Sequence, residues 1–256
     1  MKGRYIAIMM TRPLCIIIAQ LGLACLLGSW SATFPWWPFQ MIAANCVCFA
    51  ILWKLTRRQD ESLGDVYFHP FGADPVAGFL GRWLRPGDGG HPAIAALRDV
   101  GLFLGLLLVL GLPAIAVARL IESQLPSVVE LSRYQPLPLW ALWSVTLLLP
   151  LTMPLVEVPW YFGYFFPKLE RVGIASHKRT AWLGALVITT AVYSAQHCLQ
   201  PFVWNATFLA LRAVMLLPLL LLIASIVRIA PRFMPYILVL HGLMALEVVA
   251  RYWRSA

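Results

Sequence analysis

Charged residues are scarce in this chain of 256 residues: Asp, Glu, Lys and Arg make up 12% of it, whereas hydrophobic residues make up 61%. A soluble domain carries about twice that share of charge. The composition therefore excludes an ordinary soluble fold. A mean hydropathy of +0.77 indicates a membrane protein.

Paired cysteines and internal repeats are also lacking. None of the five cysteines has the spacing of a zinc finger or a disulfide framework, and all lie in apolar runs. We expect them to be small packing residues. Without a repeated half, a transporter built from two inverted units is the least favoured of the functions considered.

The chain is nevertheless basic, with a formal net charge of +9 and an isoelectric point near 9.7. Its basic residues are spread over short segments beside apolar runs, and no motif typical of a nucleic-acid-binding domain accompanies them. We therefore expect the lipid bilayer, through its anionic headgroups, to be the partner of these charges, and no nucleic acid.

Long apolar runs are what the chain has instead. A helix needs about 20 residues to cross about 30 Å of hydrocarbon. The runs predict an all-α polytopic transmembrane bundle with a polar intramembrane cavity, in which residues 1–136 form N-terminal helices and a polar loop and residues 137–256 form the core. The first span has basic residues before it but no convincing cleavage site, so we interpret it as a retained anchor. About seven spans are predicted, at residues 13–34, 38–55, 100–122, 137–160, 181–199, 206–227 and 233–251.

The basic residues also predict an orientation, because cytoplasmic segments of membrane proteins hold the excess of Lys and Arg. With the N-terminus inside, the inner segments hold most of the 20 basic residues, Arg12 among them. The outer segments then hold Arg119, Arg133, Arg251 and Arg254. We therefore predict a cytoplasmic N-terminus.

The polar region between the second and third spans, residues 56–99, is predicted to form turns, with a short interfacial helix near residues 77–84. We interpret its His69 and His91 as structural or solvated rather than as ligands. Seven tryptophans near predicted span ends are expected to be interfacial anchors: Trp36, Trp37, Trp140, Trp143, Trp160, Trp204 and Trp253.

Three ionisable residues, Glu157, His197 and His241, lie within or at the ends of apolar runs. An ionisable side chain at membrane depth costs roughly 2.5–3.5 kcal/mol on insertion scales, so such residues are usually paired, inward-facing and functional. Each of the three also has a purely structural interpretation, as an interhelical hydrogen-bonding residue or an interfacial carboxylate. Their joint occurrence favours a shared site.

The strongest local pattern surrounds the glutamate and reads Glu-Val-Pro-Trp-Tyr-Phe-Gly-Tyr-Phe-Phe-Pro-Lys-Leu from residue 157. It resembles the first motif of the CPBP intramembrane proteases, the CAAX prenyl endopeptidase and bacteriocin-processing (Abi) family. Bacterial members often read Glu-Glu-Pro-Gly-Trp-Arg-Gly-Tyr-Leu-Leu-Pro-Arg-Leu. Lys168 is a like-charge replacement, and the matching residues are Glu157, Pro159, Gly163, Tyr164, Pro167 and Leu169.

Two further motifs of that family place a histidine on each of two later spans. The run Tyr-Ser-Ala-Gln-His-Cys-Leu-Gln-Pro-Phe is similar to the second motif and contains His197. The run ending His-Gly-Leu-Met-Ala resembles the third motif, up to its last position, and contains His241. The resemblance covers roughly residues 137–249 and implies a bacterial inner membrane protein.

The chain departs from the family pattern at three supporting positions. Val158 replaces the second glutamate, Phe162 replaces the arginine, and Ala245 replaces the asparagine that follows the last histidine. The resemblance implies that Glu157 activates water while His197 and His241 hold water, a metal or the developing oxyanion. It identifies the chain as a divergent relative.

The same chemistry follows from the residue types. Peptide hydrolysis needs a base for water and donors for the oxyanion. Alternatively, Glu157, His197 and His241 could together hold Zn²⁺ or another divalent metal with an open position for water. Both schemes stay open at this stage.

Two functions remain in consideration. One is an intramembrane endopeptidase that hydrolyses a peptide bond of a membrane-associated or lipid-linked protein or peptide. The other is a catalytically weakened relative that acts as a membrane scaffold or binding protein. Two more charges, Arg212 and Glu247, fall in predicted spans. Glu247 and Arg251 are spaced for an i,i+4 pair, and a bolder hypothesis lets Arg212 reach Glu157 or Glu247 and replace the family arginine.

Overall fold

The computed structural model describes residues 2–68, 70–71, 92–124, 133–174 and 180–255, and its regular elements there are all helical. Predicted features that lie outside these residues are His69, His91 and the interfacial helix near 77–84. The α-helices are α1 Lys2–Met9, α2 Thr11–Leu27, α3 Trp37–Arg58, α4 Leu63–Phe68, α5 Pro92–Leu106, α6 Leu112–Glu122, α7 Leu139–Val158, α8 Phe166–Ile174, α9 Ala181–Gln196, α10 Ala206–Met215, α11 Leu217–Ile229 and α12 Met234–Ser255.

In the described part of the chain, six continuous helical stretches are long and apolar enough to cross a membrane. They confirm an all-α polytopic bundle and indicate an integral membrane protein. The predicted span at 181–199 is the shorter helix Ala181–Gln196. The six long stretches are Gly3–Leu27, Ser31–Arg58, Leu97–Glu122, Leu139–Gly173, Ala206–Ile229 and Pro231–Ser255.

The bundle buries polar side chains and exposes apolar ones, as a protein surrounded by lipid does. Helix α2 shows this pattern, because Arg12, Ile16 and Gln20 are fully buried at intervals of four residues. The intervening Leu14, by contrast, is 51% exposed. The buried face of a spanning helix therefore carries its rare polar residues.

Helix α9 follows the same pattern, although its small residues lie mostly on the exposed face. Small residues of transmembrane helices often mark interfaces, but here only Ala185 is buried, while Gly184, Ala191 and Ala195 are exposed. Polar and aromatic residues occupy the buried face instead, among them Thr189, Thr190, Tyr193, Ser194 and Gln196.

Prolines shape the helix that carries Glu157. Pro159 has no N–H group to donate to the carbonyl of Leu155, which lies four residues earlier. The hydroxyl of Tyr67 in α4 donates to that carbonyl instead. The chain continues from α7 through a π-helical turn, Pro159–Phe165, into α8. Such turns commonly occur at functional sites.

Two glycines allow close approach near this turn. A Cβ atom added at Gly163 would lie 2.4 Å from the carbonyl oxygen of Val66, so α4 packs directly on the π-helical turn. A Cβ atom added at Gly242 would lie 3.5 Å from the carbonyl oxygen of Pro150. Helix α12 therefore runs close to α7 at the residue that follows His241.

Four tryptophans form two ring contacts at one end of the bundle. The rings of Trp36 and Trp140 are 6.0 Å apart, and those of Trp143 and Trp253 are 5.2 Å apart. These contacts place the starts of α3 and α7 beside the end of α12, as alternating spans require. Two tryptophans that we expected to be anchors, Trp37 and Trp160, are buried in the bundle instead, at 3% and 0% exposure.

Candidate functional site

The carboxylate of Glu157 lies in the bundle interior with no exposure. Its Oε2 atom is 3.0 Å from the Nε2 atom of His241 and accepts a hydrogen bond of 3.0 Å from the hydroxyl of Tyr193. That hydroxyl is also 3.4 Å from the same nitrogen of His241. Two of the three predicted site residues are thus in direct contact, and a tyrosine joins both.

The other carboxylate oxygen of Glu157 is bound by Arg12, a residue that sequence reasoning placed at the cytoplasmic flank. That placement is wrong, because the helical stretch begins at Gly3 and Arg12 lies fully buried within it. The apolar run predicts that the span starts at Pro13, one residue after Arg12. The signal that could have found Arg12 is its spacing of eight residues from Gln20 on one helix face.

Arg12 is the centre of a buried polar network. It donates from Nε and Nη2 to the Oδ1 atom of Asn45, at 3.1 and 2.8 Å, and from Nη1 to the side chain of Gln196. The hydroxyl of Tyr161 donates to the same Gln196 oxygen at 2.7 Å. Helices α2 and α3 of the N-terminal half therefore hold the glutamate of the C-terminal half.

His197 follows the last residue of α9 and joins the cluster through a ring contact. Its ring stacks on Tyr193, with centroids 5.5 Å apart and an interplanar angle of 22°. Its Nδ1 atom is 3.1 Å from the Oε1 atom of Gln200. Tyr193 in turn stacks on Tyr161 at 4.5 Å. Glu157, His197 and His241 therefore all border the same tyrosine.

A cavity of about 230 Å³ adjoins this cluster. His197, His241, Tyr193 and Gln200 line its polar end, whereas Glu157 is not among the lining residues. The Nε2 atom of Gln200 is buried and has no hydrogen-bond partner among the described residues. The remaining wall comes mainly from apolar residues of α6, α11 and α12.

Four charged residues, Arg119, Glu122, Glu247 and Arg251, line the same cavity and form a ring between α6 and α12. Arg119 bonds to Glu122 at 2.7 Å and to Glu247 at 2.5 Å. Arg251 bonds to Glu122 at 2.9 Å and to Glu247 at 3.0 Å, which confirms the predicted i,i+4 pair. We call these residues the four-charge ring.

Arg212 does not take the role that the bolder hypothesis gave it. Its Nε atom donates to the backbone carbonyl of His197 at 3.3 Å. Within the described part of the chain, the hydrogen bonds of Glu157 come from Arg12, Tyr193 and His241, and those of Glu247 from residues of the four-charge ring. The guanidinium that neutralises Glu157 is therefore that of Arg12.

The three positions that depart from the family motifs are packed as apolar residues. Val158, Phe162 and Ala245 all have 0% exposure, and the ring of Phe162 lies 5.5 Å from that of Tyr193. The hydrogen bonds of Glu157 among the described residues come from Arg12, Tyr193 and His241 instead.

The donor set does not fit a divalent metal. Among the described residues no three His, Cys, Asp or Glu side chains form a group that could hold one. In addition, the guanidinium of Arg12 occupies one oxygen of Glu157 and repels a second cation there.

No protein-family model, no curated protein and no solved structure matches the chain. The resemblance to the CPBP motifs therefore rests on the quoted residues alone.

Proposed function

We propose that this chain is an intramembrane hydrolase, an endopeptidase of the type that the CPBP-like motifs imply, acting on a membrane-associated or lipid-linked protein or peptide. The single observation that carries the proposal is the contact of 3.0 Å between Glu157 and His241 beside a cavity that His241 lines. A carboxylate that bonds one nitrogen of an imidazole orients the ring and stabilises the imidazolium formed when the other nitrogen takes a proton.

The roles differ from those expected from the sequence. Because Glu157 is fully buried and both its oxygens are bonded, it acts through His241 rather than on water directly. The Nδ1 atom of His241 has no hydrogen-bond partner in the described ranges, and the residue lines the cavity. His241 Nδ1 is therefore the general base in this mechanism, taking a proton from water as the water attacks a carbonyl carbon.

The oxyanion formed by that attack needs a donor. The unpartnered Nε2 amide of Gln200 lies beside His197 at the polar end of the cavity and supplies one. With its Nδ1 atom held by Gln200, His197 has its Nε2 atom left to accept a hydrogen bond from the attacking water. The hydrogen bond to the oxyanion and the hydrogen bond from water both depend on donors and acceptors that are in position before the reaction.

The experiment that tests the proposal is cleavage of a peptide library by the purified protein, with Glu157→Gln as the comparison. Expected is a set of cleaved peptides for the parent that disappears in the variant. An unchanged set of products in Glu157→Gln, or no cleavage by the parent, would contradict it.

One observation favours a second candidate, a membrane scaffold or binding protein without activity. The glutamate is already neutralised by Arg12 and is absent from the cavity wall. This alternative predicts that the purified parent cleaves no peptide while Glu157→Gln still lowers its thermal stability.

We also propose that the protein lies in a bacterial inner membrane with its N-terminus in the cytoplasm. The excess of basic residues in the inner segments supports this orientation. Labelling of single cysteines at positions 29 and 62, introduced into a chain without its native cysteines, tests it in intact cells. Ser29→Cys should react with an impermeant reagent while Ser62→Cys is protected, and the reverse pattern would contradict the orientation.

A further inference from the structure

The apolar section of the cavity takes no part in the proposed reaction. It is lined by residues such as Ile115 of α6, Leu219 and Ile223 of α11, and Met244 of α12. Along α12 the cavity wall runs from His241 to Arg251, ten residues that rise by about 15 Å. This section therefore extends from the histidines to the four-charge ring.

Few contacts between α6 and α12 close this section of the cavity. In the described ranges, α6 packs on α10 and α11 rather than closely on α12. The α5–α6 stretch contacts α12 at two levels: the rings of Phe103 and Tyr236 lie 5.6 Å apart, and the four-charge ring joins the other ends. Leu243 of α12, which lies between these levels, is 57% exposed, and Leu120 of α6, at the level of the four-charge ring, is 67% exposed. Few contacts between α6 and α12 therefore close the cavity between the two levels.

The residues that line this section determine which kind of molecule can occupy it. Water needs two to four polar partners, which apolar walls do not provide, and a polypeptide would leave its backbone groups without hydrogen bonds there. If this section were empty, the residues that line it would lack dispersion contacts. A hydrocarbon chain needs no hydrogen bonds and supplies the dispersion contacts. An engineered cavity of about 150 Å³ holds benzene, so by proportion the whole cavity of about 230 Å³ has room for roughly nine carbon atoms.

We propose that this section binds one acyl chain of a bilayer lipid, which enters between α6 and α12 and keeps its polar head at the four-charge ring. The four-charge ring can hold a polar head because it is both charged and accessible: the side chain of Arg119 is 48% exposed. A charged head placed at the histidines instead would have to leave the interface. The proposal does not depend on the hydrolase activity.

Native mass spectrometry of the full chain, released from mild detergent, tests the site. The parent should retain one lipid per chain, whose mass identifies it as a phospholipid or a free fatty acid. Met244→Trp, which fills the cavity from α12, should lower the retained fraction at least tenfold. Its matched control is Leu246→Trp, two residues away at a position that is 46% exposed and does not line the cavity, which should retain lipid like the parent.

A second pair of variants distinguishes loss of lipid binding from a folding defect in Met244→Trp. Ile223→Trp fills the cavity from α11, whereas Leu221→Trp adds the same side chain at a residue that is 37% exposed. Lipid loss in both cavity variants, but in neither control, supports the site. A parent without bound lipid, or equal retention in cavity variants and controls, would overturn it. Glu157→Gln should retain lipid, which separates this test from that of the hydrolase.

Discussion

His241 and Glu157 meet in the interior of the bundle, with Nε2 of the imidazole 3.0 Å from Oε2 of the carboxylate. The other oxygen of Glu157 bonds to Arg12, and all of the carboxylate is buried. Removal of Arg12 therefore leaves the buried carboxylate without its cation. Removal of Glu157 leaves the Nε2 atom of His241 without its partner at membrane depth.

The first prediction concerns the ion pair between Arg12 and Glu157. Arg12→Met should destabilise the protein by about 3–5 kcal/mol, because it leaves a buried carboxylate without its cation. The double variant Arg12→Met with Glu157→Gln should lose less than the sum of the two single variants, since no charge is left unpaired. Thermal unfolding in detergent measures all three.

A matched control for this pair is Arg119→Met, at an arginine whose side chain is 48% exposed. Exposed ion pairs contribute about 0–1 kcal/mol, so this variant should unfold near the parent temperature. Equal losses from Arg12→Met and Arg119→Met would show that burial of the Arg12 pair has no energetic consequence.

How far the sequence predicts this site is clear from particular residues. Glu157, His197 and His241 could be selected because ionisable groups are rare in apolar runs, and they do border one tyrosine. Arg12 is harder to place, since a basic residue near the start of a span has a similar pattern whether it faces cytoplasm or the bundle interior, and its spacing from Gln20 is the signal that favours the interior. The hydrogen bonds that Arg12 makes to Asn45, Glu157 and Gln196 decide between them.

The fold, like the site, could be predicted only in part from the sequence. Long apolar runs predicted the order of the helices, because length and hydropathy determine which segments can span. Of the seven predicted spans, six correspond to long apolar stretches in the described part of the chain, and the one at 181–199 is the shorter helix Ala181–Gln196. The exposed face of α9 was not predicted, since Gly184 and Ala191 are small enough to pack but are exposed among the described residues. Which face of an apolar helix is buried depends on neighbours that hydropathy does not identify.

The second prediction concerns Tyr193. Tyr193→Phe keeps the ring stacks with Tyr161 and His197 but removes the hydroxyl that donates to Glu157. One lost hydrogen bond should cost about 0.5–1.5 kcal/mol of stability, and peptide cleavage should fall by roughly tenfold, equivalent to 1.4 kcal/mol. Parallel measurements of unfolding and cleavage check this, and parent-like cleavage would exclude a role for the hydroxyl.

The third prediction tests the proposed oxyanion donor. Gln200→Ala should lower kcat by about 100- to 1000-fold, the range found when one oxyanion donor is removed, with little change in KM. Gln124→Ala, at an exposed position away from the cavity, should leave both constants unchanged. A loss confined to KM would assign Gln200 to substrate binding instead.

The fourth prediction concerns the close contact between α4 and the π-helical turn. Gly163→Ala would bring a Cβ atom to 2.4 Å from the backbone carbonyl of Val66, so one of the two elements must move and stability should fall. Gly184→Ala meets no atom within 4 Å and should be neutral or stabilising by up to about 1 kcal/mol. Comparison of the two unfolding temperatures checks the packing, and equal temperatures would contradict it.

The fifth prediction is a pH dependence at Tyr67, which lies outside the membrane-spanning helices. Burial raises the pKa of Tyr67 from 10.0 to about 12. A pKa that is higher in the folded state gives stability that is complete below pH 10 and is lost as the pH rises toward 12. The parent should therefore lose more stability than Tyr67→Phe across this interval. Parallel alkaline unfolding curves would contradict the assignment.

The most direct test of the Glu157–His241 dyad is a kinetic double-mutant cycle on one cleaved peptide. If the two residues act as a unit, Glu157→Gln and His241→Gln should each lower kcat by about 100-fold or more, and the double variant should be no slower than the slower single variant. Losses that multiply in the double variant, or parent-like rates in either single variant, would contradict a shared role in hydrolysis.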